Sequence, residues 1–514
     1  MSAVAQEVRA ARPAVKISDF LASATFFWLV LAVYLLAHVV LRMWETPNIG
    51  KNDVQEAIAA QGWAWGYHPR NPPLHTWLLM SFYGIFGVSP IAHFLLKYLL
   101  LGATSGFAYL SARRLLSSPA MATLSALSLT LLTPFAWTVH TALTHTLLLA
   151  AINFATLWAV LRLTQERRLL DYVVFGVVVG LGLLAKYSFA LFVLPLIAAM
   201  LTQREFRRAL SDVRIAVAVL VAAMIVAPHA LWMLTTRFDF AGFLAEKQQS
   251  AELRPYVQGV AEGAVAVVVG ALGFLGPMAI AAGVLYAGAR RRAAAPISPW
   301  ARTLALAVAF GVAALLLDVL VLRATQFEER YFFCALLLSP LVLFQWLERR
   351  GFDAIDLRWI GASVMIVALV AGGGLVGRSL LWHHTCNRCW DELPVSALER
   401  AVRTAGFTGG TIISDHYNVA GNMRIRFPEA RTIAVNYEMA TPLTSADGQC
   451  LLVWDARIDG DAMPRALSDY LAGAGLVPTG APRYVDALLL RDRERMDRFA
   501  YWLVPNADGN CRPR

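Results

Sequence analysis

Long apolar runs, parted by short polar breaks, fill the chain from about Phe20 to Leu381. A helix needs roughly 20 apolar residues to cross a bilayer, and runs of that order number about eleven. They lie at about Phe20 to Met43, Ile91 to Ala112, Met121 to Thr138, Thr146 to Leu161, Tyr172 to Leu184, Phe189 to Leu201, Ile215 to Leu234, Val260 to Ala287, Leu304 to Val321, Tyr331 to Trp346 and Ile360 to Leu381. Between the first two, Leu74 to Phe86 reads as a half-buried helix lying on the membrane. The pattern changes after Trp382. There it alternates between strand and helix periods: strands at Thr411–Ser414, Cys450–Trp454 and Ala487–Leu490, a segment Val419–Phe427 leading on from the first, and a helix at Met463–Ala474. Such alternation predicts a small α/β domain.

The basic residues orient the spans. Arg113 and Arg114, Arg162 with Arg167 and Arg168, Arg204 with Arg207, Arg208 and Arg214, Arg290 to Arg292, and Arg349 with Arg350 all fall on one side when the spans alternate. By the positive-inside rule that side is cytoplasmic. The N-terminal tail, residues 1–19 with Arg9, Arg12 and Lys16, is then cytoplasmic too. Its apolar sequel is too long for a signal-peptide core and reads as an uncleaved first span. The division expected is a cytoplasmic tail 1–19, a transmembrane domain 20–381 with a periplasmic first loop 44–90, and a periplasmic α/β domain 382–514.

Composition agrees with a multi-pass membrane protein, and a bacterial cytoplasmic membrane is its expected place. The 514 residues are 58% hydrophobic and 16% charged, where soluble proteins carry about 25% charged residues. The net charge of +10 resides in the topology clusters, so nucleic-acid binding is not expected. Cys386, Cys389, Cys450 and Cys511 all lie in the final domain. In an oxidising compartment they form disulfides. Four cysteines allow three pairings; Cys386–Cys389 with Cys450–Cys511 is the one expected. Zinc is the rival reading of the Cys386–Cys389 pair, without a second pair to complete it.

Candidate chemistry sits in the polar segments between spans. Asp53 and Glu56 are three residues apart and share a helix face; a solvated helix start is the alternative. Lys97 lies inside the second span, where a lysine either is functional or snorkels outward. Lys186 sits in the turn after Gly180-Leu181-Gly182-Leu183-Leu184 and could anchor a phosphate, as could Arg330 and Arg237. His140 and His145 are not at helical metal spacing, and the residues mark out no metal site. Trp63, Trp65 and Tyr67 either stack on sugars or anchor the interface.

These pieces occur in a telling order: Lys51-Asn52-Asp53-Val54-Gln55-Glu56, then Trp65-Gly66-Tyr67-His68-Pro69-Arg70-Asn71-Pro72-Pro73-Leu74, a basic residue in the second span, and Gly180–Leu184 running into Ala185-Lys186-Tyr187. The chain from about Phe20 to Phe344 resembles the bacterial branch of the protein O-mannosyltransferase superfamily, the GT-C glycosyltransferases that include the aminoarabinose transferases of lipid A. The resemblance implies a polyprenyl-phosphate sugar as donor and action on the outer face. It implies Asp53 as base with Glu56 as second candidate. Lys186, Tyr187, Arg330, Lys97 and Arg237 would hold the donor phosphate, and Tyr67, His68, His145 and Trp65 the sugar or acceptor. Three positions depart from the family pattern: Asn52 stands where the first acid of an Asp-Glu pair is usual, Lys97 where an arginine is usual, and His145 where a second acid is usual. Pro228, His229 and Trp232 also look family-like, in a structural role. No cofactor is firmly implied, and a divalent metal is left open.

The expected reaction is a single inverting displacement by a monomeric enzyme, onto a lipid, saccharide or protein acceptor of the cell envelope. A transporter or flippase of lipid-linked sugars is the alternative, although no inverted repeat is visible and the polar residues gather at one face. A sensor with a membrane anchor would not need so many spans.

Overall fold

The computed structural model describes residues 21–236, 255–289, 292–353, 356–386, 389–437, 439, 448–476, 478, 480–492, 494–504 and 511. The N-terminal tail, Arg237, Arg290 and Arg291 lie outside the described residues. Seven described helices are long and apolar enough to cross a membrane. Those used below are α1 (Ala24–Glu45), α4 (Pro90–Leu115), α5 (Thr144–Gln165), α8 (Ile215–Thr235), α9 (Tyr256–Ala289), α10 (Pro299–Leu322) and α11 (Arg358–Thr385). In the first loop are α2 (Asn52–Ala59) and α3 (Leu74–Phe86), and between α5 and α8 are the shorter α6 (Leu169–Ala185) and α7 (Ala190–Leu201). The protein is a multi-pass helical membrane protein.

Two of the expected spans are bent. Pro119–Leu131 and Pro134–Thr141 meet at 74°, and Glu329–Ala335 and Ser339–Arg349 at 46°. Pro134 and Pro340 lack the N–H that a continuing helix would use, so each starts a new helix rather than extending the old one. The bend also changes the setting of His140. It is buried rather than in an exposed loop, its ring stacked on His38 at 4.0 Å and met by the Tyr34 and Tyr98 hydroxyls at 3.0 and 3.3 Å.

The membrane core forms around α5, which is buried almost all round, from Leu147, Leu148 and Leu149 to Leu161 and Leu163. On α1 only a narrow stripe with Phe27 and Leu31 faces the core, while Leu29, Val33, Leu36 and Val40 point outward, as suits a lipid-facing helix. At the arginine-rich end, neighbouring helix ends are joined by charge pairs: Arg114 with Glu166 at 3.1 Å, Arg162 with Asp171 at 2.9 Å and Arg292 with Asp356 at 2.8 Å.

The tail is a mixed five-stranded sheet in the order β2-β1-β3-β5-β4. Its strands are β1 (Gly410–Ser414), β2 (Arg431–Ala434), β3 (Gln449–Asp455), β4 (Arg483–Leu488) and β5 (Met496–Val504). β2, β1 and β3 are parallel, and β5 runs antiparallel to β3 and β4. Helices α12 (Val395–Thr404) and α13 (Tyr417–Arg426) cover one face, packing Val395, Leu398, Val419 and Met423 on Ile412, Leu451 and Phe499. Helix α14 (Arg465–Ala474) covers the other, setting Leu467 and Leu471 on Ile413, Leu452 and Trp454. The segment leading on from the first strand is thus mostly the helix α13, and the last expected strand is displaced to Arg483–Leu488. β2 and β5 were not anticipated. Disulfides join Cys386 to Cys389 and Cys450 to Cys511.

The tail grips the first loop. The Ile49 N–H donates to Asn422 Oδ1 and the Asn422 amide to Ile49 O, both at 2.9 Å, and Gln61 exchanges bonds with the Thr432 backbone at 2.7 and 2.8 Å. Asn48 Nδ2 reaches Leu393 O at 2.8 Å. The apolar face of α2, with Val54, Ala57 and Ile58, packs on Tyr417, Ala420 and Ile425 of α13. Gly421 permits this approach: a Cβ there would run into the backbone of Val54. Gly421→Val is expected to leave the sheet folded, at a cost of about 1–3 kcal/mol. A shift of α2 by about 1 Å would still lower turnover by roughly 10²-fold. Thermal unfolding and steady-state rates on the same sample check both.

Candidate active site

Opposite its apolar face, α2 turns two acids toward the membrane domain. Asp53 and Glu56 are 3% and 4% exposed, so this is no solvated helix start. The helix begins abruptly: Lys51, just before it, has φ 47, a region non-glycine residues seldom occupy. Asp53 in the first turn also suits the positive end of the helix dipole.

Each acid has its own set of partners. Pro90 starts α4, and one turn on, His93 and Lys97 share a face four residues apart. Lys97 Nζ donates to Asp53 Oδ2 at 2.9 Å, and His93 Nδ1 lies 3.7 Å from Oδ1. The other His93 nitrogen meets the Tyr83 hydroxyl of α3 at 2.5 Å. Lys97 thus points inward and does not snorkel away. Glu56 is met from two other helices. The first turn of α3, set by Pro72-Pro73, supplies His75 Nδ1 at 3.0 Å and the Thr76 hydroxyl at 2.9 Å, both to Oε2. The first turn of α5 supplies His145 Nε2 at 2.7 Å to Oε1. The residue before α5, Leu143, is left-handed at φ 67, a strained state that a non-glycine residue keeps only where its surroundings enforce it. Asp53, His75, His93, Lys97, Thr144 and Leu147 line one small cavity.

Burial alone would raise both carboxyls, but their neighbours outweigh it. Lys97 and then His93 hold Asp53 well below the usual carboxylate range, and His145 and His75 do the same for Glu56. The pairs therefore add stability above the ordinary carboxylate pKa, and lose it only as pH falls through the depressed folded values.

Lys186 joins this cluster through the next residue of α5. Its Nζ donates to Thr146 Oγ1 at 2.7 Å, one position along from His145. Burial, reinforced by Arg330, lowers its ammonium to about 8. Arg330 itself is half exposed and paired with Glu328 at 2.7 Å. Tyr187 is turned to α8, its hydroxyl 2.9 Å from His229 Nε2. His229 Nδ1 lies 2.8 Å from Trp65 O, and the Trp232 ring lies against Gly66 where a Cβ would clash. His229 and Trp232 thus fasten the aromatic part of the first loop to α8.

The residues expected to bind sugar are dispersed. Tyr67 is buried, its hydroxyl accepting from Ala64 N–H at 3.2 Å and donating to Met80 Sδ at 3.4 Å. His68 stacks on Tyr437 of the tail at 5.2 Å. Trp65 is exposed and edge-on to Trp77. Only His145 lies on the acids. Sequence reasoning overlooked His75, Thr76, His93 and Tyr83. The four-residue spacing of His93 and Lys97 was the available signal for one of them.

Several known glycosyltransferases are similar to this chain. Residues 70–232 match the family model for dolichyl-phosphate-mannose-protein mannosyltransferase. The lipopolysaccharide core galacturonosyltransferases RgtA and RgtB of Rhizobium johnstonii are 27% and 24% identical to the chain. Each alignment covers 87% of the chain, and 91% and 90% of those relatives. Among solved structures, ArnT from Cupriavidus metallidurans with bound undecaprenyl phosphate superimposes with a TM-score of 0.62 at 14% identity, over 93% of this chain and 98% of that one. Its apo form gives 0.55 at 16% identity.

Proposed function

We propose that this chain, a membrane glycosyltransferase of the GT-C type, moves a sugar from a polyprenyl-phosphate donor onto the lipopolysaccharide core at the periplasmic face. The observation that carries the reading is the pair of buried acids on α2, with Lys97 on one and the His145–Thr146–Lys186 corner beside the other. The relatives named for lipopolysaccharide core galacturonosyl transfer support the acceptor and suggest a uronic acid as the sugar. The fold shared with an undecaprenyl-phosphate complex supports the donor. The arginine clusters at the far end of the bundle support the periplasmic side.

The chemistry follows from which groups can hold charge. An acceptor hydroxyl gives its proton to Asp53 as its oxygen bonds to the anomeric carbon. The bond from that carbon to the phosphate oxygen breaks, and polyprenyl phosphate leaves with the electron pair. Such a leaving group needs no general acid; it needs cations already in place. Lys186 is the best sited, with Arg330 at the exposed margin. Inversion at the anomeric carbon is the stereochemical result.

The test is direct. Purified protein given a polyprenyl-phosphate uronic acid and lipopolysaccharide core should release polyprenyl phosphate only when the acceptor is present. Movement of intact donor across liposomes without cleavage would instead identify a flippase.

The pH profile of kcat/KM provides a further check. Because both acids are held below the usual range, no acid-side loss is expected where ordinary carboxylates titrate. The alkaline limb should fall near pH 8, as Lys186 gives up its charge. A limb at pH 4–5 would mean the base is not one of these acids.

A further inference from the structure

We propose that Tyr437 of the tail and His68 of the first loop, with Arg70 beside them, form the subsite that binds the acceptor saccharide. The proposal rests on the glycosyl-transfer reading and adds where the second substrate sits. Two segments far apart in sequence meet there. In the first loop, His68 to Asn71 make a tight turn: the Arg70 N–H donates to His68 Nδ1 at 3.0 Å, and the Asn71 N–H to His68 O at 3.1 Å. In the tail, the chain turns directly after β2, where the Tyr437 N–H donates to Ala434 O at 3.1 Å. Asn436 Oδ1 accepts from the Tyr417 N–H at 3.0 Å and ties that turn to α13. The two turns bring the His68 and Tyr437 rings into a stack, with centroids 5.2 Å apart and planes 17° from parallel. Both residues remain partly exposed.

The polar groups of the stack are left for a ligand. Among the described residues the Tyr437 hydroxyl has no hydrogen-bond partner. Burial raises that hydroxyl, Glu56 adds to the rise and Arg70 opposes it. The phenol therefore stays protonated, with the catalytic acid and Arg70 both in electrostatic range. Burial, reinforced by Arg70, lowers His68 to about 4, so its ring is neutral at neutral pH. With Nδ1 accepting, the neutral ring carries its proton on Nε2 and offers it as a donor. A hydroxyl, an imidazole N–H and a guanidinium around two rings match a polyhydroxylated sugar. A hydrocarbon chain would leave the same groups unpaired. The position also suits the acceptor rather than the donor. Inversion puts the incoming hydroxyl and the departing phosphate on opposite faces of the anomeric carbon. Lys186, the phosphate anchor, belongs to the membrane bundle through Thr146 of α5. Tyr437 belongs to the tail and packs with Ile58 on the apolar face of α2. The acids thus have the anchor on one side and the stack on the other.

Full-length protein titrated with a fluorescently labelled, lipid-free lipopolysaccharide core oligosaccharide, with no donor present, tests the site. Tyr437→Phe keeps the ring and its stack and removes only the hydroxyl; Kd is expected to rise about 3–10-fold, the worth of one hydrogen bond. His68→Phe also keeps a ring and removes the N–H, with a similar rise expected. In steady state the same factor should appear in KM for the acceptor and not in KM for the donor. A purely structural tyrosine predicts no change in Tyr437→Phe. If His68→Phe fails to fold, Tyr437→Phe still decides. Unchanged Kd in Tyr437→Phe, no oligosaccharide binding by the folded native protein, or a rise confined to the donor KM overturns the proposal and leaves sugar transfer standing. Binding that weakens in Tyr437→Phe, in a protein that releases no polyprenyl phosphate, keeps the saccharide site and removes the transferase reading.

Discussion

Asp53→Asn is expected to lower turnover by about 10²–10⁴-fold, the range for losing a general base. The carboxamide keeps the size of the side chain and removes its proton affinity. The substitution has a second effect. Lys97 lies 3% exposed against Asp53, and breaking a buried pair by removing one partner costs about 3–5 kcal/mol. A fall in activity could then be ascribed to unfolding. The double variant Asp53→Asn with Lys97→Met separates the two: it removes the stranded charge, recovers most of the lost stability and stays inactive. Thermal midpoints and single-turnover rates of the two variants, measured side by side, decide it. Full activity in either variant would transfer the base role to Glu56.

Lys186→Met should come next in size. Removing one preorganised charge from a departing oxyanion costs about 10²–10³-fold in kcat. The lysine also meets the phosphate in the ground state, so KM for the donor should rise with the loss in kcat. Methionine fills the buried stem, and among the described residues the hydrogen-bond partner released is the Thr146 hydroxyl. Lys186→Arg keeps the charge on a broader head and should recover part of the rate. A variant with an unchanged single-turnover rate would place the leaving group elsewhere.

The membrane architecture was legible because its signal is local. An apolar run and the arginines that close it are neighbours in sequence, and no partner is needed to read them. The two acids were legible for a similar reason, being one helical turn apart. What surrounds them was not. His75 owes its importance to Glu56, 19 residues away, and His145 to the same group, 89 residues away. The same holds in the tail. β5 escaped notice because Asp497 breaks its apolar pattern, yet in the fold that carboxylate is fully buried against Arg457 at 3.0 Å. The bent spans were misjudged because hydropathy is blind to direction; Pro134 was the signal.

The grip of α13 on α2 has a consequence for the order of events during synthesis. Eight residues are too few to stay helical unaided, so α2 depends on its packing partners. Ile49 leaves the ribosome 373 residues ahead of Asn422. At about 5–20 residues per second that is tens of seconds. Throughout that interval the nascent chain carries both acids without the clamp that sets them. Competence arrives only when the tail has been made and has folded, so a product terminated before it is inert and not a half-controlled transferase.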